Sequence, residues 1–171
     1  MVEKNLNSLF EDTLKDIYYA ERKILTALPK MMKAAQSSEL KAAFEKHRTE
    51  TEGQVQRLEE VFSIIGQKPK GKTCPAIDGI LEEGKEMMEE YADSPALDAA
   101  LISSAQAVEH YEMSRYGTLK RLAEKLDLQD AAELLDETLQ EEIQTDEDLD
   151  ALAENDNDDD EDSEMDKQAA E

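Results

Sequence analysis

The chain has 171 residues, enough for one domain with a real core, and its 43 acidic side chains oppose 19 basic ones for a net charge of −24. Such a surface repels nucleic acid and anionic membranes, so neither is an expected partner. The one cysteine, Cys74, excludes an intrachain disulfide and points to a reducing, cytoplasmic setting, while no leader pattern opens the sequence and no apolar run approaches a membrane span.

Six glycines and four prolines leave few breaks, strand-like alternation is absent, and long helices are expected. The first is predicted from Leu6 to Ala35, with Phe10, Leu14, Ile17, Ile24, Leu28 and Met31 recurring in steps of three and four and Glu21 on the same stripe. The turn Gln36-Ser37-Ser38 is short enough to make the second helix, Glu39 to Ile65 with Gly66 as its stop, antiparallel to the first. Its stripe reads Leu40, Phe44, His47, Thr51, Gln54, Leu58, Val61 and Ile65, polar in the middle, with Glu50 on the flank. Residues 67–94 read as a crossover carrying a shorter helix, Pro75 to Tyr91. Ser94-Pro95 is a start signal for the third long helix, Pro95 to Leu126, whose stripe of Leu101, Val108, Leu119 and Leu126 also carries Glu109 and Glu112. Asp127 is expected to cap the fourth, Leu128 to Ala153, with Leu135, Leu139 and Leu149 apolar and Glu142 and Asp146 in the same stripe. The third and fourth long helices thus form a second antiparallel pair. Residues 154–171 hold ten acids and one lysine and have no apolar period, so a helical domain at 1–153 and a disordered acidic tail at 154–171 are expected.

Every long helix therefore places acids or a histidine where the pattern demands burial: Glu21; His47 and Glu50; Glu109 and Glu112; Glu142 and Asp146. Glu21 and Glu50 lie at similar distances either side of the first turn, as Glu112 and Glu142 do about the turn at Asp127, so each pair is level within about a turn. Buried like charges need a cation. Were it an ordinary ion pair, Lys or Arg would share the stripes, and only Arg115 does. Carboxylates with imidazole suit iron or manganese, and this many around one cavity suit a dinuclear site. His110 points off the stripe. Tyr18, Tyr19, Tyr111 and Tyr116 lie within a turn of the acids, either as hydrogen-bond donors or as packing.

The segments YYAERK, HRTETEGQ, VEHYEMSRYGTL and LLDETLQEEIQTD resemble the corresponding pieces of the YciE/YciF family of bacterial ferritin-like proteins, over about residues 5–153. The resemblance implies an all-α, ferritin-like four-helix bundle with the extra short helix in the crossover, a homodimer, and a link to stress. It also implies two iron or manganese ions between the helices. Ferritin-like sites usually take Glu-x-x-His from the second and fourth long helices. Here Glu50 is followed by Gly53 and Gln54, and Glu142 by Thr145 and Asp146. The ligand set is then either carboxylate-rich, with His47, Gln54 and Asp146 substituting, or degenerate. Two functions follow: a di-metal protein that oxidises Fe(II) or handles peroxide, with dioxygen or peroxide as co-substrate, and a non-enzymatic dimeric stress scaffold. Metal-dependent oxygen or peroxide consumption separates them.

Overall fold

The computed structural model describes residues 4–168, with side chains for 4–154. It contains α1 (Leu6–Ala34), α2 (Ser38–Ile64), α3 (Pro75–Glu90), α4 (Leu97–Lys125) and α5 (Gln129–Gln168), with no strand among the described residues. The expected acidic tail falls largely outside the described side chains; α5 itself runs on to Gln168.

Caps set most of the helix ends. The Asn5 side chain accepts from Ser8 N at 3.0 Å to start α1, and Ser37 Oγ accepts from Leu40 N at 3.2 Å to start α2. At the end of α2, Gly66 takes φ 67°, and Gly66 N and Gln67 N return to Ser63 O and Phe62 O. The end of α4 repeats this geometry with a residue the sequence suggested for the opposite task. Asp127 does not cap α5; at φ 57° it closes α4, with Asp127 N and Leu128 N donating to Glu124 O and Ala123 O. The start of α4 also differs from expectation. Ser94 Oγ accepts from Ala96 N in a turn at 3.1 Å, and the helix begins at Leu97.

Helices α1 and α2 pack together, as do α4 and α5, and the pairs meet along α2–α5 and α1–α4, with α3 against α4 and α1. The long connection lets α4 run parallel to α2. Asp98, in the first turn of α4 and buried, accepts from Gln36 N and Ser37 N at the head of α2, both at 2.7 Å. The expected apolar stripes fill the core: Phe10, Leu14, Ile17, Ile24 and Leu28 meet Phe44, Leu58, Val61, Leu101, Leu119 and Leu135, all nearly without solvent contact. The middle layer of this bundle is polar, and that layer is the candidate site.

Candidate metal centre

Four helices supply the centre. His47 of α2, Glu109 and Glu112 of α4 and Glu142 of α5 each offer a ligand atom, all within 4.8 Å of one another. His47 is 3% exposed and the three glutamates 0%. His47 Nδ1 lies 3.2 Å from Glu109 Oε1, without hydrogen-bond geometry, and Nε2 lies 4.0 Å from both Glu112 Oε2 and Glu142 Oε2. Glu21 of α1, also 0% exposed, stands beside Glu112 and Glu142. Its Oε1 accepts a short hydrogen bond from the Tyr116 hydroxyl, which leaves Oε2 free.

The helical repeat explains this convergence. Buried positions on α5 run Thr138, Glu142, Thr145, Leu149, and on α2 His47, Thr51, Gln54, Leu58, each in steps of four, three and four. Thr138 and Thr145 flank Glu142, and Thr51 and Gln54 follow His47, so α2 and α5 bring a polar layer between apolar ones.

The electrostatics of the layer are unbalanced. Both oxygens of Glu109, Glu112 and Glu142, Oε2 of Glu21 and Nε2 of His47 are buried without a hydrogen-bond partner. Each buried unpaired carboxylate costs several kcal/mol (order of magnitude) if ionised, so without a cation the groups hold protons instead. Burial, reinforced by the neighbouring Glu142 charge, pushes Glu21 up to about 8 against the pull of the Tyr116 hydroxyl. Burial likewise pushes Glu142 up to about 7, and Glu109 and Glu112 well above the usual carboxylate range. His47 is pushed down to about 4 by burial, so its imidazole is neutral at neutral pH and its contact with Glu109 is not an ion pair. A neutral imidazole among displaceable protons is the state that accepts a metal.

Two residues expected at the site sit apart from the cluster. Glu50 is one position off the buried stripe, and its side chain is 25% exposed. It accepts weakly from Thr145 Oγ1 at 3.4 Å and lies 3.7 Å from Lys46 Nζ. With Thr145 and Phe44 it lines a cleft of about 20 Å³ between α2 and α5 that reaches His47, and Lys46 also bridges to Asp148 at 2.7 Å beside it. Asp146 is also one position off the stripe and turns to the outer face of α4, where His110 Nε2 lies 3.0 Å from its Oδ2. Arg115, the one cation the pattern placed on a stripe, stacks 5.3 Å over the Tyr111 ring and makes no ion pair with the cluster. Tyr111 meets the buried thiol of Cys74 at 3.1 Å, while Tyr18 and Tyr19 donate to Glu59 and Asp78. Of the tyrosines only Tyr116 touches the cluster.

Fold and site together define an all-α, ferritin-like bundle with a buried carboxylate–imidazole cluster that can hold a metal ion. The chain belongs to the YciF family: residues 5–161 match the family described as a domain of unknown function, DUF892. It is 43% identical to protein YciF of Escherichia coli K12 over 153 residues, 89% of this chain and 92% of that one. The crystal structure of that E. coli stress protein superposes with a TM-score of 0.86 at 42% identity, covering 90% of this chain and 98% of its own. A Rhodopseudomonas palustris protein, YcfI, gives 0.84 at 45% identity, covering 86% and 94%. A Xanthomonas campestris protein, 20% identical, shares the fold alone, with a TM-score of 0.71 over 88% and 92%.

Proposed function

We propose that this chain is a di-metal carboxylate protein of iron or manganese that oxidises Fe(II) or handles peroxide under stress. One observation carries the reading: eight buried nitrogen and oxygen atoms of Glu21, His47, Glu109, Glu112 and Glu142 lack partners, and His47, Glu109, Glu112 and Glu142 each bring a ligand atom within 4.8 Å of the others. The donor set also fits. Four carboxylates and a neutral imidazole amount to a charge of about −4, which two divalent ions neutralise, whereas one would leave net negative charge in the core. Oxygen donors with one imidazole and no thiolate suit iron or manganese. Ions bound there would supply Lewis-acid and one-electron redox chemistry to dioxygen or peroxide.

The chain's own residues do the rest. Carboxylates able to bind through one or two oxygens adjust to a change of charge. Tyr116 keeps one oxygen of Glu21 occupied, which orients the other inward. Ile24, Leu28, Met31, Ala105 and Val108 wall His47 on its far side and exclude water. The cleft beside Glu50 is the access route for cations, and Glu50 and Asp148 draw them toward its mouth. A homodimer and a cytoplasmic setting belong to the same reading; the one thiol, Cys74, is buried and free, and no helix among the described residues is long and apolar enough to cross a membrane.

Anaerobic loading with Fe(II), followed by addition of dioxygen or peroxide, tests the function. Oxidant consumption in proportion to bound iron supports it. Bound metal with no consumption above the rate of free Fe(II) would leave the metal structural and favour a scaffold role.

A further inference from the structure

Gln54 lies on α2 two turns beyond His47, about 10 Å along the axis at 1.5 Å per residue. It is 1% exposed, and its carbonyl oxygen Oε1 is buried without a partner. The orientation of the amide is fixed from outside the site. Its Nε2 donates to Glu141 Oε2 at 3.1 Å, and Arg57 grips both oxygens of that same carboxylate, Nη1 at 2.8 Å from Oε2. A carboxylate paired to a guanidinium offers only acceptors, so a reversed amide would set oxygen against oxygen. The carbonyl therefore turns away from Glu141 and stays buried without a partner, while the N–H side of the amide also lies toward Glu142.

The position is at one end of the cluster. Helices α2 and α4 run parallel, since Asp98 meets Ser37 at their heads and Glu109 meets His47 further along. Seven residues on from His47 is Gln54, and seven on from Glu109 is Tyr116, which holds Glu21. Thus His47 and Glu109 mark one end, Glu112 and Glu142 the middle, and Glu21 and Gln54 the other end.

We infer that Gln54 is a metal-binding residue whose carbonyl oxygen, with Glu21 Oε2, holds the ion farther from His47, Glu112 and Glu142 being shared between the two ions. The inference rests on the di-metal reading and makes the pair unequal. The ion near His47 meets an imidazole and a glutamate with both oxygens free. The ion near Gln54 meets a neutral oxygen and a glutamate half-occupied by Tyr116, and so binds more weakly.

Anaerobic Mn(II) titration of the full chain, reading free Mn(II) by EPR, tests this in the wild type, Gln54→Leu and Gln54→Glu. Two Mn(II) bind the wild type in separable steps. In Gln54→Leu the weaker step loses about ten-fold or more in affinity and the tighter step is unchanged. In Gln54→Glu the weaker step gains. The metal-free Gln54→Leu protein still unfolds cooperatively, with a melting temperature lowered only by the lost hydrogen bond to Glu141, so a selective loss of the weaker step reports ligation rather than misfolding. Two unchanged steps in both variants, or equal loss of both ions in both, would overturn the assignment and leave the di-metal reading standing. No uptake by the wild type would overturn both.

Discussion

Chelating the metal and raising the pH from 6.5 to 8 should destabilise the protein. Glu21 is held near 8 and Glu142 near 7 in the metal-free fold, against an ordinary value of 4.5. The folded state therefore keeps protons that the unfolded chain has released, and the stability this gives, full below pH 4.5, is lost as pH rises through the folded values. At 1.36 kcal/mol per unit, the two groups together lose about 2 kcal/mol between pH 6.5 and 8. Glu109 and Glu112, also raised by burial, act in the same direction. His47 acts oppositely but outside this window: held near 4 when folded, it adds stability as pH rises from 4 to its unfolded value of 6.5, and its contribution is complete above that. Bound Mn(II) replaces the protons and removes the decline. Urea unfolding followed by helical circular dichroism, with chelator or with Mn(II), measures both curves. A metal-free stability that stays level or rises from pH 6.5 to 8 would refute the reasoning, as would an equal decline with metal bound.

Three further outcomes are expected. Glu50→Gln slows Mn(II) uptake several-fold in stopped-flow mixing and leaves the bound stoichiometry unchanged, whereas Lys46→Met, which removes the cation beside Glu50 and Asp148, speeds it; lost stoichiometry in Glu50→Gln would instead make Glu50 a ligand. Asp98→Ala lowers stability by about 3 kcal/mol in urea unfolding, because two backbone N–H groups at 2.7 Å lose a charged acceptor. Asp127→Gly raises stability by about 0.5–1 kcal/mol, since the residue ends α4 at φ 57°, a conformation glycine adopts without strain.

The four long helices were legible because burial recurs in steps of three and four, and Glu21, Glu109, Glu112 and Glu142 stood out as acids on stripes otherwise apolar. Counting from the two tight turns set Glu112 level with Glu142, and these two do share the cluster; the same count set Glu21 level with Glu50, which lies outside it. Asp146, expected in the stripe, lies one position off it, and Glu50 lies on the flank as expected but outside the cluster. Their neighbours Thr51 and Thr145 carry the buried stripe, and a single residue turns a side chain by 100°. The stripe of the second helix already held Gln54, in the step of four, three and four that the buried residues follow. Asp127 follows the last apolar residue of one helix and precedes the next, so its composition fits either a start or a stop; only its positive φ decides. The tie from Asp98 to Ser37 joins residues 61 positions apart and had no local signal.

The measurement that tests the central claim most directly is metal content of the full chain after anaerobic loading with Fe(II) or Mn(II), alongside Glu112→Ala and Glu142→Ala. About two ions per chain in the wild type, lost from both variants while their metal-free forms stay folded, is the result predicted for charges that must neutralise in a buried layer. A wild type that binds no metal would contradict the account and leave the protonated carboxyls as the resting state of the core.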